Sequence, residues 1–273
     1  ALLDRKNFSC GCIAGLMNDP TRAAVTAWQH ENGLPATGVF DEATLRKLGK
    51  MESAFTEHVV TEQEHASLRK VPATWLEKSK VDVLGYETIV ECLSEKYHTS
   101  EEAMKTLNLE AAWPNPPAGT RLIVPKVSPS PVPQARRIRI KLGQKNMRVY
   151  DDKGRLVAWF PCSIAHSVDK RPVGELKVTK CASEPNYAFD PDVFPESEEA
   201  QALGKKLLIP PGPNNPVGMA WISLSMEGYG IHGTPKPEDI GLTGSHGCFR
   251  LANWNAQKLL KMISIGTPVI VEP

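Results

Sequence analysis

Residues 137–142 alternate basic and apolar side chains (Arg137, Ile138, Arg139, Ile140, Lys141, Leu142), the two-residue period of a strand with one buried face. Met147-Arg148-Val149-Tyr150 and Leu156-Val157-Ala158-Trp159-Phe160 flank Asp151-Asp152-Lys153-Gly154, which predicts a hairpin. Glu175-Leu176-Lys177-Val178-Thr179 predicts a further strand, and residues 254–263 the one clear helix of this region. Short strands with few helices predict a mostly-β sandwich or barrel over residues 136–273.

The N-terminal half is patterned differently. Ala24, Val25 and Trp28 within residues 21–30 have helical spacing, stopped by Glu31-Asn32-Gly33-Leu34-Pro35. Asp41 is placed as the N-cap of a second short helix. These elements predict a small α-helical domain over residues 1–50, with Trp28, Leu34 and Leu45 as its core. The pairs Trp28-Gln29, Gly33-Leu34 and Thr37-Gly38, with Asp41, Thr44 and Leu45, make it resemble the helical peptidoglycan-binding domain.

Residues 51–84 are charged and read as a connector with one or two short helices. In residues 85–126 an apolar stripe (Ile89, Cys92, Leu93, Tyr97) predicts one helix, and Ser100 caps a second. A turn at residues 117–120 leads to a strand, Arg121-Leu122-Ile123-Val124, ended by Pro125. This order resembles a small α+β LysM carbohydrate-binding domain, with its first strand and opening motif degraded to Leu84-Gly85-Tyr86-Glu87. Residues 127–135 are a Pro/Ser linker, expected to be extended.

Composition adds exclusions. A net charge of +1 gives no drive toward nucleic acid or anionic lipid, and no apolar run is long enough to span a bilayer. Ala1-Leu2-Leu3-Asp4 lacks the features of a signal peptide, as expected of a mature or trimmed form. Of six cysteines (Cys10, Cys12, Cys92, Cys162, Cys181, Cys248), most are expected to be free thiols; a Cys162–Cys181 bridge is an open alternative.

The chemistry concentrates in Gly230-Ile231-His232-Gly233 and Gly244-Ser245-His246-Gly247-Cys248-Phe249-Arg250. A cysteine that attacks a carbonyl needs an imidazole, as base or ion-pair partner, and backbone N–H groups for the oxyanion. Gly247 and Cys248 are the candidate donors. Two histidines are candidate bases: His246, two residues away, and His232, sixteen residues upstream. Zinc is the competing chemistry, because His232, His246 and Cys248 are all ligand types, but no fourth ligand is evident.

These residues resemble the YkuD-type L,D-transpeptidase family, whose signature is an upstream histidine, a Ser/Thr-His-Gly-Cys run and a following Arg or Asn. Arg171-Pro172-Val173-Gly174-Glu175-Leu176 and Gly212-Pro213-Asn214-Asn215-Pro216-Val217-Gly218 resemble two further family stretches, with Arg171 where the family has Thr. The resemblance implies Cys248 as nucleophile and His232 as its base, oriented by the Gly233 carbonyl. His246 lines the site; Arg250 holds substrate or organises the pocket; Ser245, Gly247 and Tyr229 are further candidates. It implies cleavage of the L,D bond of a peptidoglycan tetrapeptide stem, release of D-Ala and transfer of the acyl group to an amine. Peptidoglycan stem peptides and glycan are the implied partners, and an exported, cell-envelope protein (periplasm or cell wall) with no cofactor or metal is the implied setting. The alternatives are an L,D-carboxypeptidase acting on the same bond and an inactive cell-wall-binding protein. Outside the site, His98 and His166 are expected at the surface and Trp159 and Trp221 in the core. Tyr187 and residues 190–199 are expected as an exposed loop, with a lid as the alternative.

Overall fold

A computed structural model describes residues 1–49, 54–127, 132–245 and 247–273. His246, one of the two candidate bases, lies outside the described residues, as do parts of the connector and of the Pro/Ser linker.

Helix α1 (Asp19–Glu31) starts at Asn18, whose side chain accepts from Thr21 N at 3.0 Å, with Pro20 in the first turn. Helix α2 (Glu42–Leu48) starts at Asp41, which accepts from Thr44 N at 2.8 Å. Between them the buried Gln29 amide donates to Thr37 Oγ1, Val39 O and Thr44 Oγ1, and accepts from Gly38 N. One side chain thus ties residues 37–39 to α2. Trp28 is buried, as expected, but Leu34 is half-buried, and the inward position on α2 is Leu48 rather than Leu45. Thr44 and Leu48 lie one turn apart and share the inner face, which rotates Leu45 toward the side.

The second module contains β1 (Phe55–Val59), α3 (Glu62–Ser67), α4 (Trp75–Lys78), α5 (Ile89–Lys96), α6 (Glu101–Leu107) and β2 (Arg121–Pro125). Strands β1 and β2 pair antiparallel, Phe55 opposite Pro125 and Val59 opposite Arg121. Val60, Ile89, Val90, Leu93, Met104, Leu122 and Val124 form the core. The hydrogen-bonded unit therefore includes Phe55–Val59, inside the stretch read as a connector, and Leu84–Gly85 is not its first strand. The exposed β1 carries Thr, Glu and His, so its sequence lacks an apolar stripe; a partner more than sixty residues away makes it a strand.

The third region contains β3 (Arg137–Lys141), β4 (Asn146–Tyr150), β5 (Leu156–Pro161), β6 (Gly174–Ser183), β7 (Tyr187–Phe189), α7 (Glu198–Leu203), β8 (Leu207–Ile209), β9 (Ala220–Leu224), β10 (Gly230–His232), β11 (Phe249–Arg250), α8 (Asn253–Met262) and β12 (Pro268–Glu272). Eight strands form one curled sheet in the order β11-β10-β9-β6-β12-β3-β4-β5. The pairs β12–β3 and β10–β11 are parallel and the other neighbours antiparallel. Inward residues alternate along the strands (Ile138 and Ile140, Met147 and Val149, Val269 and Val271) and pack with Ala256, Leu259 and Met262 of α8. Each large aliphatic side chain buried there contributes about 2 kcal/mol.

The modules are docked on this sheet. Phe8 bridges to Trp159 on the edge strand β5, and Trp159 and Leu156 complete a core with Leu3, Val25, Trp28 and Leu48. Docking covers a sheet edge that would otherwise be open for pairing. Residues 184–210, between β6 and β9, are a folded excursion, in which Tyr187 is half-buried and most of residues 190–199 are exposed, as expected. Trp75 stacks on Phe189 at 4.5 Å and also meets Tyr187 and Phe194. The aromatic partner that orders this segment lies more than a hundred residues earlier, out of reach of local pattern. His98, expected at the surface, is instead an interdomain residue. Its Nδ1 is 3.0 Å from the buried Asp4 carboxylate, and its ring stacks on Trp254 of α8 at 5.1 Å. His166 is exposed.

Candidate active site

The site lies at the β11 end of the sheet. Strand β10 pairs with β9 on one side, His232 opposite Trp221, and with β11 on the other, His232 opposite Arg250. Cys248 stands one residue before β11, so short parallel pairing brings the 232 and 248 segments together. Residues 163–165 clamp the turn from outside. Ser163 and Arg250 exchange backbone hydrogen bonds at 3.0 Å, and Ser245 N donates to Ile164 O at 2.9 Å.

His232 is buried, and its Nδ1 is 2.6 Å from the Gly233 carbonyl oxygen. A carbonyl only accepts, so Nδ1 carries the proton and Nε2 keeps its lone pair. Burial lowers the imidazole pKa to about 4; the Gly233 hydrogen bond opposes this, and the Arg250 charge adds to it. Burial also pushes the Cys248 thiol up, partly offset by a backbone hydrogen bond from Gly230. Its Sγ donates to Gly228 O at 3.6 Å. At neutral pH both groups are uncharged, which favours a base over a standing ion pair.

The other expected residues organise the turn. Ser245 Oγ donates to the Cys248 carbonyl and accepts from Gly247 N at 3.2 Å. The Gly247 N–H, expected to face an oxyanion, is thus engaged within the turn, because a hydroxyl two residues back reaches it first. Arg250 Nη2 donates to Thr243 O, Thr243 Oγ1 and Gly244 O at 2.7–2.9 Å, so its guanidinium braces the 243–244 loop. Tyr229 OH donates to Lys170 O at 3.1 Å, and its ring lies beside Gly247. Arg171 ties the neighbouring loop by donating to Ala165 O and His166 O.

Several site residues escaped the sequence pattern. Trp221, expected in the core, is half-buried and stacks on the His232 ring at 5.6 Å and 24°. Its indole N–H donates to Ser223 Oγ at 2.8 Å. Strand alternation around buried Ile222 puts Trp221 on the other face, a signal readable from the sequence. Tyr187 sits close enough to feel a charge on Cys248; burial first, then that charge, raises its phenol to about 12, so it stays a donor. Asn253, at the start of α8, is buried against Gly233.

All six cysteines are free, so the Cys162–Cys181 bridge does not form: Cys162 is buried in the sheet core and Cys181 is exposed. Burial raises Cys162 to about 12. Among the described residues no group of three His, Cys, Asp or Glu side chains could hold a metal ion. Among them, too, no helix is long and apolar enough to cross a membrane. A cavity of about 780 Å³ between the second module and the loops at Pro213 and Pro235–Glu238 does not reach Cys248.

A curled mostly-β sheet with a thiol and an imidazole at one end, carrying docked accessory modules, defines the class: a modular catalytic domain. The chain belongs to the L,D-transpeptidase family, since the model of its catalytic domain matches residues 135–271. A second model, described as "Putative peptidoglycan binding domain", matches residues 8–48, the helical module. The chain is 27% identical over 185 residues to the "Putative L,D-transpeptidase YkuD" of Bacillus licheniformis, covering 67% of this chain and 93% of that one. It is 33% identical over 108 residues to the "Putative L,D-transpeptidase YqjB" of Bacillus subtilis, covering 38% of this chain and 52% of that one. The solved L,D-transpeptidase from Mycobacterium smegmatis overlaps 59% of this chain and 76% of that one, at 20% identity and a TM-score of 0.39.

Proposed function

We propose that this chain forms peptidoglycan cross-links by a two-step acyl transfer through Cys248. The observation that supports the reading is the buried, neutral His232, whose Nδ1–H is committed to Gly233 O so that Nε2 keeps its lone pair, on a strand paired with the one that follows Cys248. The thiol rotates away from Gly228 O and gives its proton to Nε2 as sulfur attacks the carbonyl carbon on the L side of an L,D bond. The tetrahedral oxyanion is held by backbone N–H groups of the 247–248 turn once Ser245 yields the Gly247 donor. Collapse breaks the C–N bond. The imidazolium returns the proton to the leaving D-Ala amine, and a thioester remains. An amine of a neighbouring stem attacks the thioester and loses its proton to Nε2, and the thiol is released. Water in that second step would give carboxypeptidase activity instead.

The helical module supports peptidoglycan as the polymer engaged, and this substrate implies the cell envelope and export. The test has two parts. A carbapenem-type acylating probe is expected to add one adduct to the wild type at Cys248 and none there in Cys248→Ala; equal labelling of that variant refutes the nucleophile. Disaccharide-tetrapeptide fragments are expected to yield cross-linked dimer by mass; tripeptide alone would replace transfer by hydrolysis.

A further inference from the structure

The Gly233 carbonyl orients His232, so whatever fixes residue 233 sets the base. Gly233 N donates to Ala220 O at 3.2 Å, and on its other side lies the Asn253 side chain. A Cβ on Gly233 would stand 2.2 Å from Asn253 Oδ1, and one on Gly218 1.9 Å from the same atom. Only glycines admit the amide this closely. Asn253 is fully buried, and its Oδ1 accepts from Met219 N at 3.0 Å. Its Nδ2 donates to Pro213 O at 3.3 Å and, more tightly, to Glu95 Oε2 at 2.8 Å. Glu95 belongs to α5 of the second module, and its other oxygen accepts from Tyr86 OH at 3.0 Å.

We propose that Glu95 is a positioning residue for His232, so that the second module completes the active site of the catalytic domain. The inference rests on the reading of His232 as the base. A primary amide can be turned end for end with little change of shape, and its partners choose the orientation. As a carboxylate, Glu95 accepts only from the –NH2 end. It thereby holds Oδ1 toward Met219 N, the wall against which Gly218 and Gly233 pack. Without the acceptor the amide loses its tighter Nδ2 partner, and only Met219 N–H and the longer contact to Pro213 O still oppose its turning. Turning it sets –NH2 against Met219 N–H, and the 218–219 and 233 backbones must shift. A displacement of a few tenths of an ångström at Gly233 O is enough to loosen the Nδ1–H tautomer and misdirect Nε2.

The test compares Glu95→Ala, Glu95→Gln and wild type in the full chain. Turnover of disaccharide-tetrapeptide is measured together with the ring-nitrogen NMR signals of His232. Glu95→Ala is expected to lower kcat about tenfold with KM unchanged, and to replace a single Nδ1–H tautomer by a mixture. Glu95→Gln, which still offers an oxygen to Asn253, is expected to restore both. If Glu95→Ala fails to fold, Glu95→Asp withdraws the carboxylate by one methylene, with the same loss expected. Wild-type kcat and tautomer in Glu95→Ala or Glu95→Asp would overturn the proposal, as would a raised KM at unchanged kcat. Tautomer and turnover fail separately. A tautomer that shifts in an enzyme showing no turnover even as wild type would refute the proposed function and leave the positioning role standing.

Discussion

Trp221 lies face to face with His232, ring centroids 5.6 Å apart, on the strand next to the one that carries the histidine. The indole thus covers one face of the imidazole, whose pKa is lowered chiefly by burial. Replacing Trp221 with Ala opens the ring to water and relieves the main cause of the shift. The His232 pKa is expected to rise from about 4 toward 6.5, carrying the acid limb of the acylation rate with it by at least about one unit. At pH 7 the rate is expected to fall about tenfold through lost packing. A limb that stays in place in a pH–rate profile would show that the indole does not supply that burial.

The same imidazole links stability to pH. Between 6.5 and about 4 an unfolded chain takes up a proton that folded His232 refuses. Its contribution is complete above pH 6.5 and is lost as pH falls through that window, by on the order of 3 kcal/mol. Glu95 works with the opposite sign. Burial is the main cause that raises its carboxyl from 4.5 to about 7, so the folded state holds a proton the unfolded chain has released, and stability falls as pH rises through that range. The two slopes oppose each other between 4.5 and 6.5. Urea titrations across that window are expected to show shallow pH dependence in the wild type. His232→Asn should lose stability with rising pH, and Glu95→Gln should lose it with falling pH.

Gly212 tests how the modules are held. It has φ +135, and a Cβ there would stand 2.3 Å from Leu84 O. Leu84 N donates to Pro211 O at 2.8 Å, and Asn214 N to Leu84 O at 3.1 Å. Gly212→Ala is expected to cost more than about 2 kcal/mol and to speed proteolysis between residues 60 and 87. Gly154→Ala, also at positive φ but with open space around its Cβ, should cost only about 1 kcal/mol in the same thermal melts.

Trp75 anchors the excursion that carries Tyr187 to the site. Trp75→Ala removes the stack on Phe189 and is expected to destabilise by about 2 kcal/mol. Hydrogen exchange should rise in β7 and β8 before it rises in β3 and β4. The Cys248 acylation rate should fall several-fold, and unchanged exchange in β7 would rule out the anchoring role.

Much of the protein was legible without coordinates because the signals are local. The two-residue alternation of β3, the turn at Asp151–Gly154, the caps at Asp41 and Ser100, and the grouping of Ser245, Gly247, Cys248 and Arg250 each depend on a few neighbouring residues. His232 is marked by the family resemblance, and its Nδ1–H to Gly233 O geometry is a one-residue contact. What the tertiary structure alone decided depends on residues far apart in the chain. Strand β1 exists because β2 pairs with it, His98 is held between modules because Asp4 and Trp254 meet it, and the 184–210 excursion folds because Trp75 fills it. The resting charge of the site is of the same kind. Burial keeps the His232 imidazole uncharged at neutral pH; desolvation is a property of the assembled surroundings, which no short run of sequence encodes.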